Sequence, residues 1–92
     1  MGGADAWGVE TMGWYVYLLR CGDGSLYTGL STDPDARLRR HNAGRGSRYV
    51  RGKGTARLVY VEPCRDYAAA RRRECEIQSW RRKKKLALIH AG

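Results

Sequence analysis

Trp14-Tyr15-Val16-Tyr17-Leu18-Leu19-Arg20 and Leu26-Tyr27-Thr28-Gly29-Leu30, separated by Cys21-Gly22-Asp23-Gly24-Ser25, decide the fold. The first run is dense in β-formers and sets Trp14, Val16 and Leu18 against Tyr15, Tyr17 and Leu19, the two-residue period of a strand. Glycine, aspartate and serine in the intervening stretch are turn chemistry, and the second run resumes an extended pattern, so the pair reads as a hairpin. With an odd number of residues in the loop, Gly22 to Gly24 for example, cross-strand parity puts Tyr15, Tyr17, Tyr27 and Gly29 on one face. Tyr17 and Tyr27 then converge beside a glycine. Glycine weakens a strand, and a common reason to tolerate it is the close approach of a ligand or another backbone.

Outward from the hairpin, Thr32-Asp33-Pro34 is a helix start: a capping acid followed by proline, whose missing N–H is harmless in the first turn. Gly44 supplies the stop, which predicts a helix over about 34–43 with Arg37 and His41 on one face. Residues 42–55 space glycines among Arg45, Arg48, Arg51 and Lys53 and read as a basic loop whose backbone can reach phosphates. Arg57 to Glu62 form a third strand, ended by Pro63. Asp66 caps a second helix running to about Trp80. On that helix Glu74 stands between Ala70 and Ile77 on the inward face, and Glu76 points away. Cys75 reads as packing and Trp80 as a core anchor. The basic run Arg81 to Lys85 leads into Leu86, Leu88 and Ile89, a final helix or tail against the sheet. Residues 1–13 read as a disordered leader, with Met12 a candidate start of the native chain. The expectation is one domain over 14–92 of α+β type: a small, mostly antiparallel three-stranded sheet flanked by helices, ββαβα plus a C-terminal helix.

A chain of 92 residues is long enough for one compact domain and too short for two. Nowhere do about 18 consecutive apolar residues occur, so no membrane span is expected, and with no signal-peptide pattern the cytoplasm is the default location. Cys21, Cys64 and Cys75 are irregularly spaced, with only His41 and His90 to join them, which is neither a zinc site nor a disulfide framework. Lys and Arg number 18 against 9 acids, a formal charge of +9. The bases cluster: eight lie between Arg37 and Arg57 with no acid, and eight more between Arg71 and Lys85 against Glu74 and Glu76. Such clustering points to a polyanionic partner, nucleic acid rather than membrane, because no bulky apolar face accompanies it. A merely solubilising surface mixes both signs. Arg40, Arg45, Arg48, Arg51 and Lys53 are therefore candidate nucleic-acid contacts, and Tyr49 a candidate for stacking on a base.

No P-loop, dinucleotide fingerprint, zincin helix or nucleophile-histidine pair is present. What remains is a tyrosine pair, a helix with Arg and His in register, and an isolated inward Glu. These suit phosphodiester hydrolysis, which needs an activated water, a cation to offset phosphoryl charge and help for the leaving oxygen. Tyr15-Val16-Tyr17, Tyr27-Thr28-Gly29, Arg37 and His41 one turn apart, and Arg73-Glu74-Cys75-Glu76-Ile77 on a later helix, in that order, resemble the GIY-YIG endonuclease superfamily. The likeness runs from Trp14 to about Ile89 and is closest to the small stand-alone bacterial branch, which looks like the catalytic domain of the eukaryotic structure-specific endonuclease subunit.

The resemblance implies metal-dependent cutting of DNA, as in repair or recombination. It implies that Tyr17 or Tyr27 activates or positions the attacking water, that Arg37 steadies the phosphoryl transition state, and that His41 orients or relays a proton. Glu74 would be the single protein ligand of one Mg²⁺ or Mn²⁺ ion, with waters and substrate oxygens completing its shell. Free tyrosine titrates near pH 10, so a tyrosine base would need the ion or Arg37 to favour phenolate. Tyr15 stands where the family name has glycine, and Gln78 where a lysine often follows; the RING-like zinc module of the eukaryotic relatives has no counterpart here. Blander roles exist for each residue: half-buried strand positions for the tyrosines, a surface contact for Arg37, pairing with Arg71 for Glu74, and for His41 a cation at a helix terminus. The rival function is a DNA- or RNA-binding protein that does not cut.

Overall fold

The structure, a computed structural model, describes residues 13–43 and 55–91. The proposed leader and Met12 lie outside the described residues, Gly13 apart. So do Arg45, Arg48, Tyr49, Arg51 and Lys53 of the basic loop.

Strands β1 (Trp14–Arg20), β2 (Leu26–Ser31) and β3 (Arg57–Cys64) form one sheet in the order β2-β1-β3. Both pairings are antiparallel. The hairpin register pairs Tyr17 with Gly29 and Leu19 with Tyr27, the expected parity, so both tyrosines and Gly29 share a face. Its turn is closed by the Cys21 and Gly24 amides, which donate to Ser25 and Cys21 carbonyls at 2.9 and 2.8 Å. Gly24 takes φ +89°, a conformation open to glycine and strained for L side chains. β3 runs through Pro63, where the sequence predicts its end. Pro63 faces Tyr15 in the ladder, and β3 is an edge strand with one neighbour, so a missing N–H is tolerated there.

Helix α1 (Pro34–Asn42) begins as expected, with the Asp33 carboxylate accepting from the Ala36 amide at 3.1 Å and Pro34 in the first turn. The Asn42 side chain then donates to the Ala56 carbonyl at 2.9 Å and accepts from the Ala56 amide at 2.7 Å, pinning the end of α1 to the approach to β3. Helix α2 (Tyr67–Gln78) is capped by Asp66, whose carboxylate accepts from Ala69 N at 2.8 Å. Helix α3 (Arg82–Ala91) takes in most of the basic run as well as the apolar tail.

Because β1 is central, both its faces are covered. Val16 and Leu18 pack with Cys64, Ala70 and Ile77, and Leu88 and Ile89 of α3 lean on that cluster. Tyr17, Leu19, Cys21 and Ala56 form the second, closed by Leu38 of α1. Val16, Tyr17, Leu18, Leu19 and Ile77 are fully enclosed, each contributing about 1.5–3 kcal/mol of apolar burial where the side chain is aliphatic or aromatic. Cys75, expected to pack, is exposed on the outer face of α2, because Ala70 and Ile77 set which stripe turns inward. Trp80 sits at the rim of the first cluster with the Arg73 guanidinium and the Lys84 ammonium over its ring at 5.2 and 4.3 Å. Arg73 also reaches Glu62 of β3 at 2.9 and 3.1 Å and Glu76 at 2.9 Å, and Tyr60 donates to Glu62 at 2.6 Å. This network clamps α2 against the sheet edge and accounts for one inward acid of the chain, Glu62, that sequence reading did not single out.

Candidate active site

The edge strand β2 and the stripe of α2 that overhangs it leave a hollow of about 470 Å³. Each candidate side chain arrives by a different route. Tyr17 comes from central β1 and passes across the sheet over Gly29: a Cβ built on Gly29 would stand 2.6 Å from the tyrosine oxygen and 2.7 Å from Cζ. The glycine therefore makes room for a side chain of the neighbouring strand, rather than for a ligand or another backbone. Tyr27 enters from β2, Arg37 from the first turn of α1, and Glu74 from α2; all four line the hollow. Glu74 is inward as expected, its side chain 12% exposed against 56% for Glu76.

His41 does not line the hollow. It is buried behind Tyr27, ring edge against ring, centroids 5.5 Å apart. Burial, and then the charges of Arg37 and Arg40, hold its pKa below the usual 6.5, which favours the neutral imidazole and weighs against the helix-terminus-cation role. Arg40 is exposed on α1, outside the hollow.

Tyr17 is fully enclosed, and its hydroxyl has no hydrogen-bond partner among the described residues. Burial first, then Tyr27 and Glu74, push its pKa up to about 12; Arg37 works in the opposite direction and loses. A phenol so placed is protonated at neutral pH. Without a cation beside it, Tyr17 is a hydrogen-bond donor and not a base.

Three features of the hollow escaped the sequence reading. Arg71 lines it and its guanidinium is on Glu74 Oε1, so the pairing considered only as a bland alternative does form, alongside the inward position. Trp14 and Tyr67 make up the rim. Tyr67, Arg71 and Glu74 recur at i, i+4 and i+7, so the helical period could have found Tyr67 and Arg71 once Glu74 was placed inward; Trp14, on β1, gave no such signal.

Among the described residues, one carboxylate, one buried unpartnered phenol and no second acid line the hollow, a sparse donor set. Among the described residues no group of three His, Cys, Asp or Glu could enclose an ion. A hard cation that keeps most of its water fits such a site, whereas a zinc-like ion wanting three or four side chains does not.

The family model described as the GIY-YIG catalytic domain matches residues 13–87. The chain belongs to the GIY-YIG catalytic-domain family, a family of nuclease type. Within it, the chain is similar to a group of small proteins designated UPF0213. It is 47% identical over 78 residues to the UPF0213 protein of Haloquadratum walsbyi, covering 85% of this chain and 88% of that one. A UPF0213 protein of Staphylococcus aureus is 44% identical over 75 residues, with 82% and 92% covered. The solution NMR structure of a UPF0213 protein from Bacillus halodurans aligns with a TM-score of 0.56 at 42% identity, over 85% of this chain and 83% of that one. The three-stranded antiparallel sheet with three helices matches that fold. No helix among the described residues is long and apolar enough to cross a membrane.

Proposed function

We propose that the chain is a divalent-metal-dependent endonuclease hydrolysing DNA phosphodiester bonds. The observation that carries this reading is the convergence of Tyr17, Tyr27, Arg37 and Glu74, from four separate elements, on one hollow. Arg37 offers a planar fork of donors to the phosphoryl oxygens, where negative charge accumulates in the transition state. Glu74, with the Tyr17 hydroxyl nearby, would hold Mg²⁺ or Mn²⁺; when bound, the ion supplies Lewis-acid stabilisation of phosphate charge. Tyr17, protonated, orients groups by donating its hydrogen. Tyr27 is only partly buried, and as the phenol solvent can reach it is the group that positions the attacking water; it can accept the water's proton only after losing its own, a loss that a bound cation and Arg37 would favour. His41, in ring contact behind it, backs the Tyr27 ring and so helps to orient it. The loop bases Arg45, Arg48, Arg51 and Lys53, with Arg40 and Tyr49, would hold the flanking strand.

One observation favours the rival reading, a DNA- or RNA-binding protein that does not cut: the carboxylate assigned to the ion holds the Arg71 guanidinium. Binding alone cannot separate the two, since both would weaken with salt by about 10³ to 10⁵ between 50 and 200 mM if six to ten phosphates are contacted. Incubation of labelled DNA and RNA structures with Mn²⁺ does separate them. Cleavage should require the metal, stop with EDTA and fall by about 10²-fold or more in Glu74→Gln and Arg37→Ala, with unchanged thermal midpoints; cutting by either variant at the wild-type rate refutes the assignment.

A further inference from the structure

Tyr67 is the one large hydrophobic side chain among the described residues that is mostly exposed, at 51%. It is the first residue of α2, and its position is not loose. The Trp14 ring meets it edge to face, centroids 5.0 Å apart and planes at 70°. Trp14 in turn packs on the first core cluster, so the pair is anchored to the sheet. Packing explains the contact and leaves the outer part of the Tyr67 ring as a bare, flat face held in a fixed orientation.

Its location narrows what that face would meet. Tyr67 and Trp14 border the hollow that holds Arg37 and Glu74. Along α2 the order Tyr67, Arg71, Glu74 descends one face in steps of about a turn, which sets the tyrosine roughly 10 Å from the carboxylate along the axis. The sequence of chemistries on this stripe is therefore aromatic, cation, carboxylate. A nucleotide presents the matching series: a flat base, then a phosphate anion, at a similar reach. Guanidinium and aromatic groups together are the usual surface for a stacked base and its backbone.

We infer that the Tyr67 ring, propped edge-on by Trp14, is a stacking platform for an unpaired nucleobase next to the scissile phosphate, so that the chain acts on DNA that is single-stranded at the cut. In duplex DNA both faces of a base are covered by its neighbours, and a ring of the protein can reach one only after paying for unstacking. A single strand, a flap or a loop offers the face without that cost. Arg71, beside the platform, is positioned to exchange Glu74 for the phosphate that follows the stacked base. The inference rests on the phosphodiester-cutting reading for the identity of the ligand, and it adds the structure of the substrate.

The test uses the whole chain with a labelled single-stranded DNA oligonucleotide and its duplex, binding being measured in EDTA at fixed salt so that no cutting is needed. Tyr67→Ala and Tyr67→Leu should each weaken single-strand binding about 5- to 100-fold, with Tyr67→Trp within about twofold of wild type. Leucine preserves an apolar contact with Trp14 while removing the flat π-face, so its loss separates stacking from helix packing. Duplex binding should be unchanged in all three. An abasic nucleotide moved along the strand should reproduce the loss at one position in the wild type and add nothing in Tyr67→Ala. Equal losses on single strand and duplex, or a leucine variant that binds as the wild type does, would overturn the platform. The two readings fail differently: wild-type protein that never cuts with Mn²⁺ yet shows the stacking pattern retires the nuclease reading alone, and metal-dependent cutting indifferent to Tyr67 and to the abasic position retires the platform alone.

Discussion

Gly29→Ala should disturb the site more than the fold, and the structure provides the magnitudes. Gly29 has no positive φ, so alanine adopts its backbone without strain, and replacing a strand glycine would by itself stabilise by about 0.5–1 kcal/mol. Against this, the new methyl would lie 2.6 and 2.7 Å from Oη and Cζ of Tyr17, where non-bonded heavy atoms prefer about 3.5 Å or more. The ring must retreat by roughly 1 Å, and it has little room: Tyr17 is wholly enclosed among Leu19, Cys21 and Ala56. Overpacking of this kind costs about 1–3 kcal/mol. The steric cost exceeds the backbone gain, leaving a net loss near 1.5 kcal/mol, or about 6–12 °C in melting temperature for a domain of this size. Displacing a site group by that distance typically costs about 10²-fold in rate. Thermal unfolding and the Mn²⁺-dependent cleavage rate, the latter well below both midpoints, read the two effects separately. A cycle with Tyr17→Leu isolates the clash, because in that background Gly29→Ala should become neutral or stabilising, a coupling above about 1 kcal/mol. Wild-type stability and rate in Gly29→Ala, or simple additivity in the cycle, would show that the ring does not lie over the glycine.

Three further outcomes follow from the site. Tyr17 titrates near pH 10 when unfolded and near 12 when folded, so between these values the native state holds more protons and stability falls as pH rises; the loss should be on the order of 2–3 kcal/mol in urea titrations from pH 9 to 12 and shrink in Tyr17→Phe. Arg71→Ala frees the Glu74 carboxylate from an exposed i,i+3 partner, so Mn²⁺ binding by calorimetry should tighten about twofold; weaker binding would mean that Arg71 supports the cation site. His41 should titrate below pH 6.5 by NMR, and a raised value would restore the helix-terminus role.

How far the sequence could be read follows from the range of the forces involved. The strands of the hairpin and its parity, the Asp33-Pro34 and Asp66 helix starts, and the inward turn of Glu74 are set by backbone sterics, capping and side-chain period within a few residues, and all are present in the structure. Where the reading slipped, the missing information was a neighbour. Pro63 continues β3 because that strand lies at the sheet edge, and edge position depends on the pairing of the whole sheet. Cys75 is exposed because α2 rests on Ala70 and Ile77. His41 shares a helical face with Arg37, yet only Arg37 reaches the hollow, since Tyr27 stands in front of the imidazole.

By itself the sequence determined the element types, the family signature in order, and a basic surface suited to a polyanion. Tertiary packing decided the rest: that Glu74 and Tyr17, 57 positions apart in the chain, border one cavity, that Arg71 covers the carboxylate, and that Trp14 holds Tyr67 at its rim. Spacing along a chain specifies which side chains share a face, because bond geometry repeats over short distances. It does not specify which faces meet, because that is settled by how the helices cross the sheet and by what fills the volume between them.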